Sequence, residues 1–186
     1  MGKIILDLCG GTGAWSKPYQ DNGYSVFNIT LPAADITDEN WVTFCLDMKP
    51  HGILFAPPCT PWANSGARWW KERTPDEIFV NAEILVKGLR IIYESNPVFW
   101  AIENPVGKMR EFLGEPALIF DPCDYGDPYT KKTLLWGHFR LPHMNKVEPK
   151  EGSKMHLGYG GKNEKTKKMR SITPSGFAQA FYEANR

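Results

Sequence analysis

The sequence has no cysteine pattern typical of a metal site or a disulfide framework. Its four cysteines are far apart, with no C-x-x-C pair and no metal-ligand spacing to the four histidines. We therefore predict that the protein binds no metal and works in a reducing cytoplasm. The histidines show no partner pattern and are predicted to be structural or exposed.

The sequence also has no membrane or targeting signal. No apolar run approaches the length of a transmembrane helix, and the amino terminus enters a strand pattern directly, unlike a signal peptide. The 186 residues, 42% hydrophobic and 23% charged, fit a single soluble domain spanning 1–186. Because the net charge is only +1, a surface that binds nucleic acid would have to be local.

Short apolar strands alternate with helical segments along the chain, which predicts a doubly wound α/β domain with a mostly parallel sheet. The strongest helix prediction is 75–95, where Thr74 is the N-cap and Pro75 takes the first helical position. A weaker element is predicted at 41–46, and a short helix follows Gly176. The predicted strands are 3–8, 24–29, 52–55, 98–103, 117–120 and 133–136.

Residues 55–62, FAPPCTPW, place one cysteine just after a short buried strand. Open α/β sheets bind ligands at the carboxyl ends of their strands, which is where Cys59 falls. The prolines Pro57 and Pro58 stiffen the loop and remove amide donors. Two interpretations are open at this point: a nucleophile held in place, or a small apolar residue that fills a gap in the core.

Residues 7–13, DLCGGTG, predict a tight turn between the first strand and a helix. Such a turn lets a ligand approach the backbone closely. The pattern lacks the third glycine of the dinucleotide fingerprint and the Lys-Ser/Thr of a P-loop. The acid before the turn suits a ligand with an ammonium beside a carboxylate, as in the methionine part of S-adenosylmethionine. The alternative is a tight turn without a ligand.

Glu103 ends an otherwise apolar strand. Partial desolvation there raises the pKa of a carboxyl, which favours a protonated donor near neutral pH. The alternative is a carboxylate that caps a helix or forms a salt bridge. Since Glu103 and Cys59 follow two neighbouring predicted parallel strands, we expect both to face one crevice together with the glycine turn.

Four motifs in order resemble the cytosine-5 DNA methyltransferases, in particular the short, phage-type members. They are DLCGGTG at 7–13, PPC at 57–59, ENP at 103–105 and YGDPYTKKT at 125–133. The resemblance covers residues 3–137 and the segment 170–174. It implies the Rossmann-like fold of S-adenosylmethionine-dependent methyltransferases, S-adenosylmethionine as cofactor, DNA as substrate, and the cytoplasm of a bacterium or a phage-infected host.

The resemblance also implies a chemistry. The Cys59 thiolate attacks carbon 6 of a cytosine, and carbon 5 then takes the methyl group. Glu103 holds the N3 and amine edge of the base and donates a proton, while Lys131 assists at the base or a phosphate. The implied cofactor-binding residues are Asp7, Leu8, Cys9, Gly10, Gly11, Thr12, Gly13, Trp15, Thr30, Asp35, Ile36 and Pro57. The implied substrate-binding residues are Pro58, Ser65, Arg68, Asn104 and Thr133.

The sequence departs from the family pattern at three places. No acid stands near Thr30 to meet the ribose, and Lys131 and Thr133 occupy positions where the family commonly has two arginines. A basic segment at 146–170, with eight Lys or Arg against three Glu, replaces the target-recognition region. We predict a flexible insertion there that grips phosphates, or else a solvated loop. A partner protein, a single-stranded substrate and a free nucleotide substrate stay open.

Trp62, Trp69 and Trp70 follow the cysteine and predict either a mobile catalytic loop or an apolar lid. Two other functions are open. An amino-methyltransferase is one, although Ala56 and Cys59 replace the polar and aromatic residues of its Asp/Asn-Pro-Pro-aromatic loop. The other is an inactive, cofactor-binding accessory protein.

Overall fold

The computed structural model of the chain describes residues 2–60, 62–63, 72, 74–154 and 171–186. All six predicted strands are present there, and the weaker element at 41–46 is a helix. The strands are β1 (Ile4–Leu8), β2 (Ser25–Ile29), β3 (Gly52–Phe55), β4 (Phe99–Pro105), β5 (Leu118–Phe120) and β6 (Thr133–His138). The helices are α1 (Lys17–Asp21), α2 (Glu39–Asp47), α3 (Pro75–Ser95), α4 (Met109–Leu113) and α5 (Ser175–Ala184).

The six strands form one sheet in the order β2-β1-β3-β4-β6-β5. The first four are parallel neighbours, whereas β6 runs antiparallel to both β4 and β5. The predicted mostly parallel α/β sheet is therefore confirmed. Because β1, β3 and β4 run in the same direction, their carboxyl ends meet at one edge of the sheet.

Both faces of the sheet are covered, so alternate residues of each central strand enter different cores. Leu6, Leu8 and Phe55 pack on the side of α2 and α3. Ile5, Leu54, Phe99 and Ala101 pack on the other side, in an aromatic core with Tyr19 of α1 and Phe177 and Phe181 of α5.

Helix α3 begins as its sequence predicts. Thr74 and Glu77 form a capping box, in which each side chain accepts a hydrogen bond from the other residue's backbone N–H. Its buried residues include Leu85 and Ile92 of the predicted face. Gly88 lets the helix lie close to β3, because a Cβ there would come within 2.2 Å of the Phe55 ring. Of the helices in the described residues, none is long and apolar enough to cross a membrane.

Candidate active site

The glycine turn after β1 is built on left-handed backbone. Cys9, Gly11 and Gly13 have φ angles of 57°, 55° and 72°. The Cys9 N–H donates to the Ile29 carbonyl at 2.8 Å, which ties the turn to β2. A Cβ on Gly10 would lie 2.3 Å from the Asp7 carboxyl carbon, so glycine is needed where the turn crosses over this side chain. Helix α1 begins only at Lys17, four residues after Gly13.

Asp7 lies beneath this turn and is fully buried. Its Oδ2 accepts a hydrogen bond of 2.5 Å from Ser16 Oγ, while Oδ1 has no partner in the described part of the chain. Burial raises the pKa of Asp7 to about 6, and the Ser16 hydrogen bonds oppose that rise. An unpartnered buried carboxylate oxygen below an open glycine turn fits a cationic ligand group, as the ammonium of S-adenosylmethionine would be.

Asn28 of β2 and the residues after that strand complete this end of the sheet. Asn28, which sequence reasoning missed, donates from Nδ2 to the Gly11 carbonyl at 3.1 Å. Asp35 lies near Cys9: burial raises the pKa of the Cys9 thiol to about 12, and the charges of Asp7 and Asp35 raise it further. Thr30 accepts a backbone hydrogen bond within the turn that leads to Asp35.

The other predicted cofactor-binding residues lie around the same turn. Leu8, Trp15, Ile36 and Pro57 are buried, whereas Gly11 and Thr12 are exposed. Trp15 packs against Phe177 and Phe181, with ring centroids 6.0 and 5.5 Å apart, so α5 supports the turn from below. The polar residue Asn28 within the otherwise largely apolar strand β2 is a sequence signal that could have identified this position.

Cys59 lies in the loop after β3 and is exposed. It therefore does not fill a gap in the core. Its carbonyl accepts hydrogen bonds from the backbone N–H groups of Trp62 at 3.0 Å and Ala63 at 2.8 Å, which closes a tight turn. Trp62 is only 1% exposed and packs in the core, while Pro58 beside the cysteine is exposed.

The strand register places Glu103 beside this loop. Phe55 pairs with Leu8 on one side and with Ile102 on the other, so Cys9, Ala56 and Glu103 follow in one row across β1, β3 and β4. The cysteine loop thus starts between the glycine turn and Glu103. The predicted meeting of these three segments at one edge is a feature of the fold.

The Glu103 carboxyl is partly buried and interacts with a cation. Burial raises its pKa, and the charge of Lys131 acts in the opposite direction. The pairing of Pro105 with Thr133 brings β6 and the preceding Lys131 to this edge. Thr133 is buried, and its hydroxyl donates to the Lys131 carbonyl at 2.8 Å. Asn104 is also buried and donates from Nδ2 to the Pro57 carbonyl at 3.0 Å.

No protein-family model matches the chain. The type II methyltransferase M.SacI of Streptomyces achromogenes is 26% identical over 135 residues, which cover 69% of this chain and 33% of M.SacI. The chain thus spans about a third of the length of this curated relative.

Among solved structures, a prophage-encoded E. coli protein described as a DNA modification methyltransferase superposes with a TM-score of 0.52 at 18% identity. The match covers 79% of this chain and 52% of the other. The chain thus shares the Rossmann-like α/β fold of this methyltransferase structure. The Dnmt2 methyltransferase of S. pombe is more distant, with a TM-score of 0.45 at 14% identity over 81% of this chain and 53% of the other.

Two predicted substrate-binding residues, Ser65 and Arg68, lie outside the described residues, as do Trp69 and Trp70. In the described ranges, no group of three or more His, Cys, Asp or Glu side chains is placed to hold a metal ion.

The first part of the basic segment packs beside the stretch of chain that precedes Lys131. The Thr130 N–H donates to the Gly152 carbonyl at 2.9 Å, and the Glu151 N–H donates to the Pro128 carbonyl at 2.8 Å. The Lys154 ammonium lies 3.6 Å from the centre of the Tyr129 ring. Residues 151–154 therefore pack against residues 128–130, directly before Lys131, and 155–170 lie outside the described residues.

Proposed function

We propose that this protein is an S-adenosylmethionine-dependent DNA methyltransferase that modifies carbon 5 of cytosine through a covalent adduct with Cys59. One observation carries the proposal. The exposed thiol of Cys59 follows β3, the partly buried carboxyl of Glu103 lies on the neighbouring β4, and both lie at the edge that bears the glycine turn. The similarity to the type II methyltransferase M.SacI supports methyl transfer, and the four ordered motifs support cytosine in DNA.

Residues of the glycine turn after β1 are proposed to hold the cofactor, which would supply an electrophilic methyl group. Gly11 is exposed and has left-handed φ, so backbone and ligand can approach closely. The free Oδ1 of Asp7 is a buried acceptor for the ammonium group. Asp35 and Ile36 follow β2 beside Cys9, where the adenosine part would lie.

Cys59 is proposed to act as the nucleophile at carbon 6 of the base, and Glu103 as the proton donor at N3. The Cys59 thiolate forms a bond to carbon 6 of cytosine, the carbon 5–carbon 6 π pair moves to between carbons 4 and 5, and the carbon 4–N3 π pair moves to N3 and takes a proton from Glu103. Carbon 5 would then form its bond to the methyl carbon as the bond from that carbon to the cofactor's sulfonium sulfur breaks, with the electron pair left on sulfur, and N3 would return its proton to Glu103. A base removes the carbon 5 proton, and the returning electron pair expels Cys59 as a thiolate.

Lys131 is proposed to act through its charge on Glu103 and on the bound nucleotide. A lysine ammonium is a point charge and does not reproduce the bidentate hydrogen bonding of an arginine guanidinium. We therefore assign it an electrostatic role at Glu103, or at a phosphate beside the target base. The eight basic residues of 146–170 are proposed to contact phosphates, with sequence recognition supplied by a partner protein.

The test is transfer of radiolabelled methyl from S-adenosylmethionine to duplex DNA, single-stranded DNA, RNA and dCMP. We expect 5-methylcytosine with DNA as acceptor. We expect Cys59→Ser to abolish it and Cys123→Ser, at a half-buried cysteine that follows β5 rather than β3, to leave it unchanged.

Three results would contradict the proposal. Methylation of an amino group that survives Cys59→Ser would indicate an amino-methyltransferase. Label on RNA or dCMP with none on DNA would reject DNA as the substrate. Cofactor binding without transfer to any acceptor would indicate an accessory protein.

A further inference from the structure

We propose that Asn104 is a positioning residue that fixes the Cys59 turn relative to the strand carrying Glu103. The inference rests on the function proposed above, because it assigns Asn104 a part in the Cys59 reaction. The resemblance implied a substrate contact for this side chain, whereas in the structure its Nδ2 donates to the protein's own backbone, and its buried Oδ1 has no hydrogen-bond partner in the described part of the chain.

The first contact lies before the cysteine. Asn104 is fully buried on β4, one residue after Glu103, and its Nδ2 donates to the Pro57 carbonyl at 3.0 Å. Prolines at 57 and 58 have no N–H, so this stretch of loop cannot be held by a backbone ladder of its own. A side-chain donor from the neighbouring strand supplies the missing connection.

The second contact lies after the cysteine. The Lys108 N–H donates to the Trp62 carbonyl at 2.6 Å. Gly107 forms a β-bridge with Ala63, and a Cβ on Gly107 would lie 1.9 Å from the Trp62 oxygen, so this approach requires glycine. The rings of Trp62 and Phe112 meet edge to face with centroids 4.9 Å apart.

These two contacts lie on either side of Cys59, and both come from the segment that starts directly after Glu103. The thiol and the carboxyl are therefore held by one piece of backbone rather than by two independent loops. A small displacement of a reacting group costs orders of magnitude in rate. Asn104 thus acts on the reaction through the position of Cys59, without touching the base.

The experiment compares Asn104→Ala with Asn22→Ala. The control removes the same kind of contact, since Asn22 Nδ2 donates to the Pro18 carbonyl at 2.8 Å on the exposed surface. We expect Asn104→Ala to lower kcat for methyl transfer by about 10–100-fold while KM for S-adenosylmethionine changes less than about two-fold. Asn22→Ala should match the wild type.

Amide hydrogen exchange provides a readout that does not need methyl transfer. Loss of the Asn104 contact should speed exchange at the N–H groups of Trp62, Ala63 and Lys108, whose hydrogen bonds define the turn and its second contact. Phe112→Leu gives a second variant at a side chain that is 53% exposed, in case Asn104→Ala does not fold. It should speed exchange at the same three amides.

The outcomes separate the two proposals. A wild type that transfers no methyl group to DNA contradicts the proposed function, and the exchange measurement still tests the two contacts. A wild type that methylates DNA, with Asn104→Ala at the same kcat and the same exchange rates, overturns the positioning role. A raised KM for the cofactor with unchanged kcat also overturns it.

Discussion

The Asp127 carboxylate accepts a hydrogen bond of 2.9 Å from the backbone N–H of Gly176. This contact joins the turn before Lys131 to the start of α5, 49 residues later. Gly176 is needed there, because a Cβ would lie 2.0 Å from the Tyr125 carbonyl oxygen. Helix α5 in turn packs against Trp15 below the glycine turn. The two ends of the candidate site are thus linked through the last helix.

We predict that Asp127→Ala destabilises the fold by about 1–3 kcal/mol, since it removes a charged acceptor from a helix N-terminus. Urea unfolding followed by circular dichroism measures this. Asp21→Ala is the control: it removes an exposed pair with Lys17 and should cost less than about 0.5 kcal/mol. Equal effects of the two substitutions would contradict a special role for Asp127.

The buried carboxyl of Asp7 predicts a pH-dependent stability. Its pKa rises from 3.8 to about 6 on folding, so its contribution is fully present below pH 3.8 and is lost as pH rises through 6. Asp7→Asn does not titrate. The free energy of unfolding of Asp7→Asn relative to wild type should therefore increase between pH 4 and 7, by up to about 3 kcal/mol. A pH-independent difference in urea unfolding would refute this.

A comparison of substitutions at Gly11 and Gly23 distinguishes the cost of backbone strain from an effect on ligand binding. Gly11 and Gly23 have φ of 55° and 83°, and a Cβ on either would meet no described atom within 4 Å. Substitution by Ala should cost about 1–2 kcal/mol at each, because both residues are left-handed. Only Gly11→Ala should weaken S-adenosylmethionine binding measured by calorimetry. Equal affinities in the two variants would place the cofactor elsewhere.

The charge of Lys131 predicts a shift in the pH–rate profile. It lowers the pKa of Glu103 against the effect of burial, so Lys131→Gln should raise that pKa. If Glu103 donates its proton during methyl transfer, the loss of kcat/KM at high pH should move to higher pH. Lys132→Gln is the control. It removes a neighbouring lysine whose Nζ lies 4.0 Å from Asp121 Oδ2, and it should leave the pH–rate profile unchanged. An unmoved profile in Lys131→Gln would argue against proton donation by Glu103.

Much of the fold follows from local sequence. Helix α3 could be predicted from Thr74 onward because a capping box and an apolar face depend on residues within one or two turns. The central strands could be predicted from apolar runs that end at Gly, Asn or Pro. The helix after the glycine turn is shorter and later than the turn suggested, since the backbone first closes over Asp7.

The sequence by itself determined which residues carry reactive chemistry, because each motif is a run of neighbours whose chemistry is local. Only the tertiary structure decided how they are held. An apolar run does not carry strand direction, so the antiparallel β6 that brings Lys131 to Glu103 came from sheet pairing. The bonds of Asn28 to Gly11 and Asn104 to Pro57 join residues 17 and 47 positions apart. Such contacts form only when the folded sheet brings distant segments to one edge, which is why the sequence alone did not reveal them.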